Sequence, residues 1–464
     1  MTGGPKEAKV RVKLIIGEWF PINEGSSTLV EQRLPRMAAA LVPRELTSWS
    51  LSAVALGALE GGLLGVMVEH QFAGVASPGV VHLAAAVVTA APSFTNLSSF
   101  LFASLAVGRD KPALISQLMG IMAVSLAIMA LPGINAVGLA VFCLATVVAR
   151  TAWTGVLTIR AAVWRTNYHR DWRGRVTARI VQLSSLLVGA YSMLIGFLLD
   201  WRVWTFRPAF IVGAACALAA AQVYRKARVR RHRRLLTAER EEKTLQGRRL
   251  TVSVLVSVLR KNKEFRQYMT SMMIFGGGNL MLIPMLVVLL SERMDLSQWQ
   301  QVVITSSLPL VALCFSIPYW ARLLDRLHIF SYRAIQCWYF VGSSALFALA
   351  LILGSTALLW PASIILGSAY AGGNLGWNLG HDDFSSDGTA AHYMAIHVTL
   401  TGLRGMIVPF VGVGFYQFLV AKAPHYASYA LLLPLLLNTA GSISFVLIHM
   451  QRKQRLAGEH SAQE

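Results

Sequence analysis

Charge is scarce in this chain, and acid is scarcer still. Asp, Glu, Lys and Arg make up 14% of its 464 residues, 22 of them acidic against 42 basic. Soluble globular proteins carry about 25% charged residues, so a soluble globular fold is excluded. Cysteine is nearly absent: Cys143, Cys216, Cys314 and Cys337 stand alone in four different apolar stretches. That spacing offers neither a disulfide framework nor a zinc site, and the four read as packing residues. Near the N-terminus the longest apolar run is "LIIG", after Lys6, Lys9, Arg11 and Lys13. It is far too short for the hydrophobic region of a signal peptide, so residues 1–48 are expected to stay on the side of synthesis. No nucleophile stands with a base beside it, so an enzyme is not expected, and no cofactor is implied.

Apolar residues are what the chain has in plenty. They make up 55% of it, the mean hydropathy is +0.54, and stretches such as Leu114–Leu131 carry no charge. Twelve stretches are predicted to span a bilayer: 50–69, 79–106, 113–131, 136–160, 177–199, 207–224, 267–290, 302–321, 334–354, 358–379, 393–418 and 427–449. At about 1.5 Å rise per residue each can cross a hydrocarbon core of roughly 30 Å. The fold class is an all-α polytopic membrane protein. Its expected parts are an N-terminal segment 1–48, six helices over 49–224, a linker 225–266, six helices over 267–450 and a tail 451–464.

The cations are unevenly placed. Residues 224–249, "YRKARVRRHRRLLTAEREEKTLQGRR", hold eleven Lys or Arg against three Glu. Such a run suits either nucleic acid or a membrane surface. If the N-terminus is cytoplasmic, only Arg202, Arg207, Arg293 and Lys422 fall on the far side, and Arg150, Arg160 and Arg404 lie inside spans; the other 35 of the 42 are cytoplasmic. This asymmetry is the positive-inside pattern. The run is therefore the cytoplasmic loop after span 6, both termini are cytoplasmic, and the expected location is the inner (plasma) membrane. Nucleic-acid binding would need aromatic platforms, and none stands near. Anionic lipid head groups are the expected partner of the 225–266 loop.

The halves also resemble each other. At an offset near 218 residues "FASLAVGRDK" (102–111) faces "WARLLDRLHI" (320–329), and "ALEGGLLGVMV" (58–68) faces "FGGGNLMLIPML" (275–286). Parallel symmetry between two six-helix halves is a known plan of secondary transporters.

On these residues the chain resembles the major facilitator superfamily, of bacterial type, over about residues 48–452. "SIPYWARLLDRLHIFSYR" (316–333) is similar to that family's loop motif, with Asp325 at the acidic and Arg326 at the first basic position. Ala321 and His328 stand where glycines are usual, and Arg333 is displaced from the closing basic pair. "VGRDKP" (107–112) is the first-half copy, with Val107 at the acidic position. "WRTNYHRDWRGRVTAR" (164–179) resembles the family's Arg-Gly loop through Arg173 and Gly174. The resemblance implies two pseudo-symmetric six-helix halves rocking about a midplane site, with spans 1, 4, 7 and 10 lining the cavity. Arg322, Asp325, Arg326, Arg173 and Gly174 would gate the cytoplasmic side by pairing across it.

An ionisable group at mid-bilayer usually serves function. Glu60, Arg150, Asn279 and Arg404 lie ten to fourteen residues inside their spans, and Asn374 and Asn378 are nearer the cytoplasm. Glu60 stands among Gly61, Gly62 and Gly65 and is the best candidate for reversible protonation, or else a structural partner of Arg150. Arg150 and Arg404 leave the midplane net positive, which favours an anionic solute. "GGGN" (276–279) either breaks span 7 or packs it closely. His397 is either a second proton site or a packing histidine. The acidic loop 380–393, "GHDDFSSDGTAAHY", complements the basic 164–179 across the inner face, and its His381, Asp382, Asp383 and His392 lack a tight metal spacing. The function these residues imply is proton-coupled secondary transport of a small solute by alternating access. The alternative is a transporter-shaped receptor or assembly partner that moves nothing.

Overall fold

The computed structural model describes residues 36–168, 170–201, 206–245, 252–380, 382–384 and 390–461. The bundle belongs to the second of two compact units, Met1–Ala40 and Leu41–Glu464. Among the described residues the chain is helical, with no strand. The first six spans are built from α1 (Arg36–Ala58) with α2 (Gly61–Gln71), α3 (Pro78–Phe94) with α4 (Ser99–Ala106), α5 (Lys111–Met129), α6 (Ala136–Asn167), α7 (Arg170–Trp201) and α8 (Phe206–Arg225). Two linker helices follow, α9 (His232–Leu245) and α10 (Val252–Lys261). The last six are α11 (Lys263–Arg293), α12 (Gln298–Val302) running through a π-helical turn into α13 (Leu308–Leu324), α14 (Ile329–Leu353), α15 (Leu359–Leu379), α16 (Ala390–Lys422) and α17 (Leu432–Ser461).

Among the described residues, 11 helices are long and apolar enough to cross a membrane. The remaining one of the twelve expected spans is α15, a continuous helix of 21 residues whose hydropathy is diluted by Asn374, Asn378 and its glycines. It packs between α13 and α14, while Asn374 and Asn378 stay exposed. Caps set several boundaries. Asp110 accepts from Ala113 N at 3.3 Å, Asn135 from Gly138 N at 2.7 Å and Asn262 from Phe265 N at 2.9 Å. Each satisfies an orphan donor in a first helical turn.

Within the first set α5 packs on α6 and α8; within the last, α11 and α14 pack on α17, and α13 on α15. The sets meet along α3 with α16, α2 with α11, and α7 with α12 and α13. Small residues allow that approach. A β-carbon on Gly402 would stand 2.9 Å from Leu97 N, and one on Gly405 2.8 Å from Ser93 Cβ.

Two expected loops are shorter than their sequences suggest. Helix α6 runs to Asn167 and α7 starts at Arg170, so most of 164–179 is helical. Arg173 and Gly174 therefore sit on the first turns of α7, and their side chains lie outside the described residues. The linker is likewise mostly helix, and it docks. Glu239 of α9 accepts from Lys111 Nζ at 2.6 Å and from Gly108 N at 2.9 Å, while Arg240 Nε donates to the Gly108 carbonyl at 3.1 Å. Gly108 adopts φ +69, a conformation that glycine reaches without strain.

Partial burial pushes the Glu239 carboxyl up, but the hydrogen bond from the Lys111 ammonium, together with the Gly108 N–H, holds it below its ordinary value. A carboxyl depressed in the docked state supports docking above the ordinary carboxylate range. That support drains away as the pH falls through the depressed value. Protection of the amides over 232–245, taken relative to the intrinsic exchange rate at each pH, is therefore expected to fall on acidification in the wild type, and to be low and insensitive to pH in Glu239→Gln.

Candidate functional site

Span 1 is broken in mid-membrane. Helix α1 ends at Ala58 and α2 begins at Gly61, with Glu60 extended at φ −61, ψ 134 between them. Both ends of the break are satisfied. The Glu60 carboxylate caps α2 by accepting from Leu63 N at 3.1 Å, and it also accepts from the Ser306 hydroxyl. On the other side an Arg150 Nη2 donates to the Leu59 carbonyl, closing the C-terminal end of α1. Carboxylate on a helix N-terminus and cation on a C-terminus match the macrodipoles of the two half-helices. The glycines explain why the break falls here. A β-carbon on Gly61 would lie 2.9 Å from the Thr89 carbonyl oxygen, and one on Gly62 2.7 Å from Thr305 Oγ1.

A second irregularity faces the first. The π-helical turn Val303–Ser307 joins α12 to α13 and presents Thr305 and Ser306 to Gly62 and Glu60. Such single turns are frequent at functional sites. Between the two irregularities lies a cavity of about 220 Å³ lined by Glu60, Gly62, Thr89, Ser93, Asn279, Thr305, Ser306 and Tyr370 among others. It draws on α2, α3, α11, α13 and α15. Among its described lining residues, Glu60 is the only carboxylate and no Lys, Arg or His is present. Asn279 Oδ1 is buried and accepts no hydrogen bond. A buried amide oxygen left open costs free energy, so this one can take a hydrogen bond from a donor placed in the cavity.

The expected site residues separate. Glu60 and Asn279 come together at the cavity. Arg150 stands beside it, spent on Leu59, and makes no ion pair with Glu60 among the described residues. Arg404 is sealed away: it is buried, its Nη1 donates to the Met272 carbonyl, and its guanidinium lies against Gly276. Neither midplane cation is among the described lining residues of the cavity. Span 7 is also unbroken, because α11 runs continuously through Gly276–Gly278. Those glycines are packing positions, Gly276 on Arg404 and Gly278 on Asn438 and Pro434. His397 is buried in an aromatic cluster, with ring centroids 5.5 Å from Trp377 and 6.0 Å from Tyr268. Asn374 and Asn378 lie exposed on α15, outside the cavity lining, with Asn378 Nδ2 on the Asn374 carbonyl at 2.7 Å.

Arg322, Asp325 and Arg326 are exposed at the end of α13 and make no ion pair among the described residues. Arg333 lies inside the last set, buried, donating to Gln336 Oε1 at 2.8 Å. Asp383 of the acidic loop caps its own set, accepting from Ile329 N at 2.7 Å with His328 Nε2 at 3.7 Å. His381 lies outside the described residues, as do the side chains of Asp382 and His392. No metal-holding group occurs among the described residues. Since Asp325 carries no partner here, Asp325→Asn is expected to move stability by less than about 0.5 kcal/mol, read as an unchanged melting temperature.

Sequence reasoning misses the hydroxyls Thr89, Thr305 and Ser306, which look like ordinary span residues. It also misses Glu45, which precedes the expected start of span 1. Glu45 is buried there and accepts from Trp49 Nε1 at 2.8 Å. Arg160 is stacked between Trp49 and Trp164, 4.2 and 4.1 Å from the ring centroids.

Comparison with known proteins agrees with this architecture. The D-xylose-proton symporter has the same fold at a TM-score of 0.66 and 13% identity, covering 88% of this chain and 97% of that one. The nucleoside transporter NupG aligns at 0.59 and 12%, covering 89% and 99%. The inward-open xylose transporter XylE from E. coli aligns at 0.61 and 10%, covering 88% and 95%. No curated protein matches in sequence. A sequence model described as the Major Facilitator Superfamily matches residues 46–409, most of the chain. With the helical bundle and its cavity already in place, the chain belongs to the Major Facilitator Superfamily.

Proposed function

We propose that the protein is a proton-coupled secondary transporter of a small, neutral, hydroxyl-rich solute, working by alternating access about the Glu60 cavity. The observation that carries this is the lining itself: one carboxylate, several hydroxyls, the open Asn279 oxygen and no cation. An anionic solute would meet the Glu60 carboxylate with no cation in the lining, whereas solute hydroxyls can donate to Asn279 Oδ1 and to the Thr305 oxygen, whose own proton goes to the Gln301 carbonyl at 2.7 Å. The similar structures of xylose and nucleoside transporters support the choice of class. Glu60 supplies a group whose charge can change in a largely apolar setting.

In this reading the linker end is cytoplasmic, because the cations gather there. The exposed Arg225, Lys226, Arg228, Arg230, Arg231, Arg233 and Arg234 then face the anionic leaflet. Arg322, Asp325 and Arg326 find partners only when that end closes. The test is uptake by proteoliposomes of labelled pentoses and nucleosides with and without an imposed pH gradient. Gradient-dependent uptake of a neutral member supports the reading, and uptake confined to organic anions contradicts it.

A further inference from the structure

The end of the bundle away from the linker is tied by an imidazole–carboxylate contact between the two sets of helices. His82 lies one turn into α3, and both of its ring nitrogens meet carboxylates. Nδ1 is 3.0 Å from Glu69 Oε2, at the end of α2, and Nε2 is 2.9 Å from Glu292 Oε1, at the end of α11. Glu69 and His82 belong to the first set and Glu292 to the last. Glu69 and His82 are buried, while the Glu292 side chain keeps 32% of its exposure at the rim.

Every element around this ring contributes. From α16 the Tyr416 hydroxyl donates to Glu292, and from α11 Arg293 Nε donates to the Tyr416 oxygen at 3.4 Å. From α6 comes Cys143, its thiol 4.0 Å from the Ala84 carbonyl. The neighbouring ties between the sets are neutral or involve a helix N-terminus. His70 meets Gln301 at 3.2 Å, Gln71 meets Gln298 at 3.2 Å, Gln417 donates to the Gly79 carbonyl at 3.0 Å, and Asp200 accepts from Gln298 N at 2.8 Å.

An imidazole offers two N–H donors only when protonated. The neutral ring can donate to one carboxylate, and its lone pair then faces the other: either Glu69 loses its donor, or Glu292 keeps only the Tyr416 hydroxyl. We propose that His82 is a proton-operated latch: the proton it binds between Glu69 and Glu292 holds the end away from the linker shut, and loss of that proton lets the two sets part there. Separation takes Glu292 away with α11 and brings the ring to water from its open rim side, so opening and proton release run together. The closed state binds the proton more tightly than the open one, so by linkage protons favour closure. The proposal rests on the alternating-access reading of the bundle.

The test measures geometry and needs no solute. Ser77 and Ser297 are exposed at that end, one on each set, and the distance between spin labels on cysteines placed there reports opening. The other cysteines are replaced. For the otherwise wild-type protein a short-distance population at low pH is expected to give way to a longer one as the pH rises. His82→Gln is expected to show the longer population throughout. Glu292→Gln, at the rim where folding is least at risk, should weaken the low-pH population several-fold. Distances that ignore pH in the wild type, or a pH response that survives in His82→Gln, would overturn the latch. A pH-dependent distance in a protein that moves no pentose or nucleoside would sink the transport reading and leave the latch standing. Gradient-driven uptake with fixed distances would do the reverse.

Discussion

Replacing Glu60 with glutamine is expected to abolish solute accumulation driven by a pH gradient while leaving solute exchange and the fold in place. The amide keeps an oxygen for the Leu63 N–H and the Ser306 hydroxyl, so the α2 cap survives in weakened form. Caps of this kind contribute roughly 0.5–2 kcal/mol, which sets the upper limit of the loss. Arg150 keeps its hydrogen bond to the Leu59 carbonyl, and Glu60 acts on it by charge at a distance beyond that of an ion pair. Were it the carboxylate's ion-pair partner, the substitution would leave an unpaired buried cation at a cost of about 3–5 kcal/mol. A melting temperature near wild type, normal counterflow and no gradient-driven uptake are the expected set. A collapsed melting temperature recovered by Glu60→Gln with Arg150→Gln would show instead that the two form a structural pair.

Gly62→Val is expected to stop transport altogether and to destabilise the fold. A β-carbon at Gly62 would run into the Ser306 hydroxyl and stand 2.7 Å from Thr305 Oγ1, so the branched side chain must push α2 off the π-helical turn. Overpacking of this sort costs typically about 1–3 kcal/mol, and here the strain falls on the wall of the cavity itself. Both uptake and counterflow should vanish, with a lowered melting temperature. Gly74→Ala is the control. Nothing lies within 4 Å of the β-carbon there, so the positive φ of that exposed turn alone limits the effect. Retained counterflow in Gly62→Val would mean that solute does not pass this wall.

Much of the architecture was legible because membrane spans are written in long apolar runs and in the placement of cations. Neither signal needs tertiary information. Polar groups deep in apolar spans likewise pointed to Glu60 and Asn279, which line the cavity. What the sequence could not say is which way a buried group turns. Arg404 and Glu60 lie at similar depth, but the Gly276 notch draws the guanidinium between helices and away from the cavity. Glycine runs were ambiguous for the same reason. "GGGN" stays helical because Asn438, Pro434 and Arg404 fill the space beside it, whereas "LEGG" breaks because Glu60 and Arg150 can satisfy both loose ends. The latch residues Glu69, His82 and Glu292 look in sequence like ordinary polar flanks of three spans. Only the packing of α2 and α3 against α11 brings them together.

The most direct measurement is proton movement driven by solute alone. Proteoliposomes loaded with a pH-sensitive dye, at equal pH inside and out, would receive an external pulse of the pentose or nucleoside found to be taken up. Acidification of the lumen is expected with the wild type, and solute entry without acidification with Glu60→Gln. Solute entry through the wild type with no proton movement would contradict proton coupling.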